Sequence, residues 1–357
     1  MNNYKLLEMS SFTRNIKSEC TLVEFHKNLL IAGSHNGLLI CWDIRTGIER
    51  WSSKYDGPCS GAIIEDGEIY LVEEGKIHCI DLESGESKWS NVVEGLSEFV
   101  KIYNEHILVG ASVYDLHISN YSESGIWMFD KNGSLIKKYE LGSKPWSFDV
   151  TNNGLYLGLS RPLCGYARLI EGKEIEYYKL ENKSPITTGI SDEDTIFLGH
   201  GDGNVSIIGN GIKEWKNKDA SPVKNLQYIK GILIGLETGK IYSENDWEID
   251  LKMELDIIST APSNDSIDYL WASTWNGKTN IFSIDNNSGN IEFKIEHPSR
   301  VRKIICFDQF VALGDSKGEI FLIENDVLQR RLKSKPEDIK IDEKRALLRE
   351  RLRALRG

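Results

Sequence analysis

The 357-residue sequence lacks the features that define several protein classes. No apolar run approaches the roughly 20 residues of a membrane-spanning helix, and the first 15 residues contain no basic leader followed by an apolar stretch. Proline is scarce, at 8 residues. Hydrophobic residues make up 40% of the chain and charged residues 27%, a composition that excludes a disordered or collagen-like chain. We therefore expect a folded cytoplasmic protein without a membrane span.

Motifs of catalysis and metal binding are also missing. The six cysteines contain no C-x-x-C pair, so we expect them to be small core residues in a reducing compartment rather than disulfides or metal ligands. The sequence has no G-x-S-x-G, no P-loop and no H-E-x-x-H. We expect no catalysis, no cofactor and no metal.

Negative charge exceeds positive charge in the chain as a whole but not in one segment near its end. The net charge of −11 disfavours nucleic acids and anionic membranes, because both require a positive surface. Residues 340–356 differ, with seven Lys/Arg against three acidic residues, a local +4 that leaves −15 for the rest. We therefore expect no nucleic-acid partner except through this basic tail.

A short turn motif recurs along the chain. Asp43–Gly47 has the pattern D-x-x-T-G and is followed by Trp51, and Asp81–Gly85 is followed in the same way by Trp89. A weaker copy lies at Asp285–Gly289. The Asp carboxylate can accept hydrogen bonds from backbone amides, and Gly permits the positive φ that closes a turn. The motif therefore predicts a hairpin whose second strand carries a tryptophan.

Related segments extend the pattern. Gly211–Trp215 keeps the spacing from glycine to tryptophan, so we predict that Trp51, Trp89 and Trp215 occupy equivalent positions between neighbouring sheets. Asp130–Gly133 lacks the later acidic ligands of a calcium loop and is predicted to be a shortened turn. Gly199–Gly203 has no following helix, so we predict a tight hairpin rather than a phosphate site.

A second hairpin precedes each of these turns, which gives four short strands per unit, the pattern of a propeller blade. Its turns are predicted at Asn36-Gly37, Glu74-Gly75, Asp202-Gly203, Thr238-Gly239, Asn276-Gly277 and Lys317-Gly318. Units begin near Cys20, Cys59, Glu98, Pro145, Ser184, Ser221, Ile257 and Arg300. The sequence thus predicts an all-β fold, an eight-bladed β-propeller, with seven blades as the alternative.

The chain is predicted to divide into three parts. Residues 20–332 form the propeller, because only a closed ring buries both faces of every sheet. Residues 1–19 form an N-terminal segment that we expect to close the ring with a strand near Tyr4–Met9, paired with the last unit. Residues 333–357 are expected to form a basic amphipathic C-terminal helix after a capping box at Ser334–Glu337.

The D-x-x-T-G-x-x-x-W segments at Asp43–Trp51 and Asp81–Trp89 resemble the repeat of quinoprotein-type propellers. The Trp42-Asp43 pair is similar to the dipeptide of WD-repeat proteins. The quinoprotein resemblance implies a propeller and, in that family, a redox enzyme with pyrroloquinoline quinone and Ca²⁺ on the axis. This sequence departs from the family pattern because it has no adjacent cysteine pair. The resemblance therefore specifies fold rather than activity.

We predict a non-catalytic scaffold that binds a protein partner on the propeller rim and through the C-terminal helix. The alternative is an enzyme or small-molecule binder that uses the axial channel. His35, His117 and His200 are expected on one rim as scattered surface residues, with a shared metal site as the alternative. Exposed aromatic and Arg side chains mark partner-binding surfaces, although Trp146 and Trp275 also fit packing under loops. The predicted partner-binding residues are Tyr114, Tyr121, Trp146, Arg161, Trp275, Asn276, Leu348, Leu352 and Leu355.

Overall fold

The computed structural model describes residues 3–117, 119–263 and 268–333. These residues form an all-β propeller of seven hydrogen-bonded sheets with a short C-terminal helix. The first half of the chain contains β1 (Asn3–Lys5), α1 (Leu6–Met9), β2 (Phe12–Asn15), β3 (Cys20–His26), β4 (Leu29–Ser34), β5 (Leu38–Asp43), β6 (Glu49–Lys54), β7 (Gly61–Glu65), β8 (Glu68–Asp81), β9 (Ser87–Tyr103), β10 (His106–Asp115), β11 (Asn120–Phe129), β12 (Leu135–Leu141), β13 (Pro145–Thr151), β14 (Gly154–Leu159), β15 (Gly165–Leu169) and β16 (Glu176–Lys179).

The second half repeats the same succession of short strands and ends in a helix. Its elements are β17 (Ile186–Asp192), β18 (Thr195–His200), β19 (Val205–Gly209), β20 (Gly211–Trp215), β21 (Val223–Tyr228), β22 (Ile232–Leu236), β23 (Lys240–Ser243), β24 (Glu248–Asp250), β25 (Leu255–Ala261), β26 (Tyr269–Trp275), β27 (Thr279–Asp285), β28 (Ile291–His297), β29 (Val301–Phe307), β30 (Phe310–Asp315), β31 (Glu319–Glu324) and α2 (Asn325–Lys333).

Most sheets are antiparallel meanders of four consecutive strands, namely β3–β6, β13–β16, β17–β20 and β21–β24. Strands β25–β28 and β29–β31 continue the series and each gain one strand from the N-terminus. Inner strands of neighbouring sheets contact each other: β7 of the six-stranded sheet contacts β3, β9 of the same sheet contacts β13, and β29 contacts β3. The sheets therefore close into a ring with the first strands around its axis.

The prediction of eight separate blades is wrong, and the alternative of seven is confirmed by the sheet count. The units predicted to start near Cys59 and Glu98 share one six-stranded sheet, β7–β12. The predicted turn at Glu74-Gly75 is absent: the backbone bends at Gly75, and β8 continues by pairing Glu74 with Leu96 of β9. Strand β8 pairs with β7 before the bend and with β9 after it, and β9 goes on to pair with β10. The two units are therefore joined by continuous backbone hydrogen bonding.

The other five predicted turns of this kind are present, including Asn36-Gly37 and Asp202-Gly203. The core lies between neighbouring sheets rather than at one centre. Strands β4, β14 and β22 are buried along their whole length, because both of their faces meet another sheet. The outermost strands, such as β6, are largely exposed. This explains why the middle strands are continuous apolar runs and not alternating ones.

Close approach between sheets depends on glycine in the second strand of a unit. A Cβ at Gly33 of β4 would lie 2.5 Å from Cβ of Cys59, and one at Gly199 of β18 would lie 2.5 Å from Cγ1 of Val223. Four cysteines, including Cys59, are buried, whereas Cys164 and Cys306 are half-buried. Burial raises the pKa of Cys59 to about 12, which fits the predicted role as a small core residue.

The N-terminal segment joins two sheets. Strand β1 pairs in parallel with β28, and β2 pairs antiparallel with β31 of the last sheet. The strand predicted at Tyr4–Met9 is therefore wrong in position, because Leu6–Met9 is the short helix α1 and Phe12–Asn15 joins the last sheet. Helix α2 begins earlier than the predicted C-terminal helix, and residues 334–357 lie outside the described residues. The domain boundaries stay a prediction.

The recurring turn has the predicted geometry. Asp43 Oδ1 accepts hydrogen bonds from the amides of Arg45 and Thr46 at 3.1 and 2.9 Å, and Gly47 has a φ of 65°. These hydrogen bonds hold the pKa of Asp43 below its usual value. Asp130 accepts a hydrogen bond from the Ser134 amide at 2.7 Å, which makes Asp130–Gly133 the shortened turn that was predicted.

Each tryptophan of the motif contacts the turn of the following unit. The indole Nε1–H of Trp51 donates to the Leu82 carbonyl at 2.8 Å, and that of Trp89 donates to the Lys131 carbonyl at 3.0 Å. Trp51 pairs with Cys41, and Trp89 with Cys79, so these two positions are equivalent.

Trp215 does not share this position, and its predicted equivalence is wrong. It pairs with Val205 at the start of β19 and packs against Tyr242, with 5.6 Å between ring centroids. The missed equivalent is Trp247, whose Nε1–H donates to the Asn286 carbonyl at 2.7 Å in the turn that ends at Gly289. Strand β20 begins at Gly211 itself, whereas β6 begins two residues after Gly47. Trp215 and Trp51 therefore differ in strand register, although each lies four residues after its glycine.

Candidate functional site

A long hairpin arm distinguishes β10 and β11 from the corresponding strands elsewhere. The two strands remain paired beyond Ser112 and Ser124 and bring Tyr114 opposite Tyr121. Their rings meet edge to face, with centroids 5.2 Å apart. Tyr114 is 44% exposed. The arm therefore carries two of the predicted partner-binding residues to the rim as one pair.

Lys144 anchors the arm to the next sheet. Its Nζ lies 2.7 Å from Glu98 Oε2, donates to the Tyr121 hydroxyl at 2.9 Å, and lies 4.1 Å from the Tyr121 ring centroid. The same Nζ lies 4.8 Å from the ring centroid of Trp146. The Lys144 side chain is only 3% exposed, so its charge is satisfied by a carboxylate, a hydroxyl and two aromatic faces.

We call Glu98, Tyr114, Tyr121, Lys144 and Trp146 the rim cluster. One face of the Trp146 ring lies over Lys144, yet the side chain is 44% exposed. Trp146 therefore packs on Lys144 and is also accessible to solvent. The three aromatic members are predicted from the sequence, whereas Glu98 and Lys144 are not. Their positions in the sequence could have indicated them, because each lies at or next to the start of a predicted unit, where the chain passes from one unit to the next at the rim.

Arg161 lies beside the rim cluster. The Ser160 amide donates to the Lys144 carbonyl at 3.1 Å, and the Ser143 hydroxyl donates to the Arg161 carbonyl at 3.0 Å. The loop that carries Arg161 is thus fixed to the link that carries Lys144. Arg161 itself is exposed.

Trp275 and Asn276 lie elsewhere on the ring. Trp275 ends β26 and Asn276 follows it, and the sheets β17–β20 and β21–β24 separate them from the sheet that contains Trp146. Trp275 is half-buried, and the Asn276 Nδ2 lies 3.4 Å from Met253 Sδ. The structure does not bring this pair to the rim cluster. Leu348, Leu352 and Leu355 lie outside the described residues, and their role stays a prediction.

The three histidines do not share one environment. His35 and His117 are exposed, but His200 is fully buried, so its predicted surface position is wrong. His200 Nδ1–H donates to the Ser184 carbonyl at 3.1 Å, and the Ser206 hydroxyl donates to Nε2 at 2.8 Å. Burial lowers the pKa of His200, against the effect of the Ser184 hydrogen bond. His200 therefore stabilises the turn at Gly201–Gly203 as a neutral side chain.

One group with metal-ligand chemistry occurs in the part of the chain that the structure describes: His297, Asp315 and Glu319. His297 Nε2–H donates to Asp315 Oδ2 at 2.9 Å, and the amides of Lys317 and Glu319 donate to Oδ1. Burial alone would raise the pKa of Asp315, but these hydrogen bonds outweigh it and lower the pKa. The arrangement is a satisfied hydrogen-bond network that joins the last two sheets.

The axial side of the ring contains a cavity of about 340 Å³ between β3, β7 and β9. It is lined by Glu24, Phe25, His26, Ala62, Ile63, Ile64, Val100 and Lys101. Burial raises the pKa of Glu24 to about 7, although Lys303 and Lys101 act to lower it. This cavity is where a small-molecule function would be located.

Comparisons with known proteins agree with this architecture. Residues 8–153 match the family model for the outer membrane protein assembly factor BamB, which is less than half of the chain. The Saccharomyces cerevisiae protein Sqt1 superposes with a TM-score of 0.71 at 13% identity, over 88% of this chain and 98% of that chain. The resemblance to quinoprotein-type and WD-repeat propellers is confirmed.

Two further solved structures show the same fold. The computationally designed Ika8 protein has a TM-score of 0.69 at 16% identity, over 87% of this chain and 98% of that one. The β-propeller domain of Myceliophteria thermophila Cps50 (Swd1) has a TM-score of 0.57 at 13% identity, over 88% and 99%. At these identities the likeness shows the fold alone. No curated protein sequence matches the chain. Within the described ranges, no helix has the length and apolar character to cross a membrane.

Proposed function

We propose that the protein is a non-catalytic interaction platform and that a protein partner binds at the rim cluster. The observation that carries this proposal is the buried Lys144, which lies against the rings of Tyr121 and of the half-exposed Trp146. The half-exposed Tyr114 packs in turn on Tyr121. Aromatic side chains fixed before binding lose little conformational entropy in a complex. They are also the residue types that dominate binding energy at protein interfaces.

Nearby exposed residues enlarge this surface. Leu116 on the hairpin arm and Leu163 beside Arg161 are both exposed apolar side chains. Singly exposed apolar residues are ordinary, but a group of them around fixed aromatic rings is typical of a binding surface. The predicted second attachment through Leu348, Leu352 and Leu355 and the cytoplasmic location stay part of the proposal.

A partner capture experiment with matched variants tests the proposal. Full-length tagged protein would be recovered from cells as wild type, Tyr114→Ala/Trp146→Ala and Phe307→Ala. Phe307 is 43% exposed and lies at the opposite end of an inner strand, so it controls for loss of an exposed aromatic ring. We expect a stoichiometric partner that the double variant loses and the Phe307 variant retains. Equal recovery by all three proteins would contradict the rim cluster as the binding surface.

Calorimetry with the recovered partner would then give the size of the effect. Loss of two central aromatic anchors should weaken binding by roughly 30-fold or more, the usual range for such positions. Lys144→Met keeps the packing volume but removes the charge that lies against the Tyr121 and Trp146 rings. We expect it to weaken binding less than the double variant, because the rings remain but are no longer fixed.

The axial cavity supports a second candidate function, the binding of a small molecule. Its supporting observation is that Glu24 and Lys101 line one cavity together with apolar side chains. Native mass spectrometry of the purified full chain would detect a retained ligand. A ligand that Glu24→Gln or Lys101→Met releases would favour this function over the platform.

A further inference from the structure

The axial cavity between β3, β7 and β9 contains a carboxylate and an ammonium group that are not paired with each other. Glu24 of β3 and Lys101 of β9 both line it, and neither has an ion-pair partner within 4.0 Å or a side-chain hydrogen bond in the part of the chain that the structure describes. Burial raises the pKa of Glu24 to about 7, although Lys303 and Lys101 act to lower it. The cavity therefore leaves the charge of Glu24 incompletely compensated.

Charges of alternating sign follow one another on this side of the axis. Around the ring, β29, β3, β9 and β13 contribute in turn Lys303, Glu24, Lys101 and Asp149. Asp149 Oδ2 is buried without a hydrogen-bond partner among the described residues, and Lys101 is the cation that acts on its pKa. A ligand with charge of one sign would be attracted by one of these groups and repelled by the next. A ligand that carries both signs avoids this conflict.

The remaining walls of the axial cavity limit the size and character of such a ligand. Its volume of about 340 Å³ lies near the lower end of the range for small-molecule sites, about 300 to 1,000 Å³. Strands β3 and β7 end their sheets, so each presents one edge of backbone N–H and C=O groups without strand pairing in the described residues. Burial lowers the pKa of His26, which therefore adds no charge at neutral pH. The other lining side chains are apolar, namely Phe25, Ala62, Ile63, Ile64 and Val100.

We propose that the axial cavity binds a free α-amino acid with an apolar side chain. The ammonium group of the ligand donates to the Glu24 carboxylate, and its carboxylate accepts from Lys101 Nζ. Its side chain contacts the apolar wall that includes Ile63 and Val100. A small zwitterion thus supplies the missing partner of each charged group and needs no further charge in the cavity.

This inference rests on the second candidate function, small-molecule binding, and names its ligand class. It uses no residue of the rim cluster. Tyr114→Ala/Trp146→Ala should therefore bind the amino acid as wild type does, even where that variant loses its protein partner. The interaction platform and the amino-acid site can thus be tested separately in the same purified proteins.

Ligand titration of the dialysed full-length protein tests the inference. Each of the standard L-amino acids would be screened by thermal unfolding, because a ligand of the folded state raises Tm, and the best would be titrated by calorimetry. We expect leucine, isoleucine, valine, methionine or phenylalanine to raise Tm more than aspartate or lysine, whose additional charge would meet the apolar wall. The matching amine without the carboxylate and the matching acid without the amino group should each bind roughly 10-fold to 100-fold more weakly.

Variants of the two charged residues identify which ligand group each one binds. Glu24→Gln and Lys101→Met should each weaken amino-acid binding by roughly 10-fold to 100-fold. Glu24→Gln should also lose the preference for the amino acid over the matching acid, and Lys101→Met the preference over the matching amine. Glu86→Gln and Lys173→Met are the matched controls, because both side chains are exposed and lie outside the cavity, and they should bind as wild type does.

Four results would overturn the inference. The first is that no standard amino acid binds. The second is that the matching amine or acid binds as tightly as the amino acid, which would show that only one charge is recognised. The third is unchanged binding by both Glu24→Gln and Lys101→Met, which would place the site elsewhere. The fourth is a retained ligand of another chemical class that Glu24→Gln releases in native mass spectrometry, which would support small-molecule binding but not an amino acid.

Discussion

The indole ring of Trp51 lies directly over the backbone of Gly85 in the neighbouring sheet. A Cβ at Gly85 would lie 2.5 Å from Cδ2 of Trp51, so the ring occupies the space that any other residue would need. The same relationship joins Trp89 to Gly133 and Trp247 to Gly289. The glycine of the D-x-x-T-G turn thus serves two purposes, since it closes its own hairpin and receives an aromatic ring from the preceding unit.

Removal of the Trp51 side chain should strongly destabilise the ring. Trp51 is buried, and Trp51→Ala creates a cavity and loses the hydrogen bond to the Leu82 carbonyl, so we expect a cost of about 3 to 5 kcal/mol. Trp51→Phe retains much of the packing and should cost less. Urea unfolding followed by circular dichroism gives both values. A change below about 1 kcal/mol for Trp51→Ala would show that this contact is peripheral.

Substitution of two glycines, Gly85 and Gly67, distinguishes the cost of a lost close contact from the cost of backbone strain. Gly85 and Gly67 have φ values of 72° and 80°, but no heavy atom lies within 4 Å of a Cβ at Gly67. Gly67→Ala should therefore show the conformational cost alone, about 1 kcal/mol. Gly85→Ala should cost clearly more, and the excess should vanish in a Trp51→Ala background. Equal costs for the two glycines in the wild-type background would refute the packing role.

Arg14 performs the corresponding role at the junction between the last and first sheets. From β2, its Nε donates to the Gly47 carbonyl at 3.0 Å, at the turn of the first unit. Arg14→Ala should lower the unfolding free energy by about 1 to 3 kcal/mol. Arg50→Ala is the control, because Arg50 reaches the same turn through an exposed 3.5 Å contact with Asp43. If both variants unfold at the same denaturant concentration, ring closure does not depend on Arg14.

Glu24 should make stability depend on pH near neutrality. Burial raises its folded-state pKa to about 7, above the value in the unfolded chain. The folded state therefore holds the proton more tightly, and the resulting stabilisation, complete below about pH 4, is lost as pH rises through 7. Glu24→Gln should thus be more stable than wild type at pH 8, by about 1 to 3 kcal/mol, with little difference at pH 4.

Thermal unfolding at both pH values measures this effect. Glu86→Gln is the matched control, because Glu86 is exposed in the turn between β8 and β9 and lies outside the axial cavity. A pH dependence that is unchanged in Glu24→Gln would show that another group is responsible.

The local elements follow from residues that are close together in the chain. The Asp43 and Asp130 turns form as predicted because their hydrogen bonds join residues within four positions and their glycines supply the required φ. The apolar middle strands follow for the same reason, since a run such as Leu29–Ser34 fits only a strand covered on both faces. These features depend only on neighbouring residues, and the repeat shows the same pattern in several units, which makes it easier to recognise.

Which residues meet across sheets depends on strand register and on closure of the ring, and local patterns do not specify either. Trp215 has the predicted spacing but not the predicted position, because register depends on pairing with β19 and not on distance from a glycine. His200 is polar and adjacent to glycines, yet its partners Ser184 and Ser206 allow it to be buried. Lys144 and Glu98 are 46 residues apart, and their ion pair exists only because two strands of different units lie side by side around the axis.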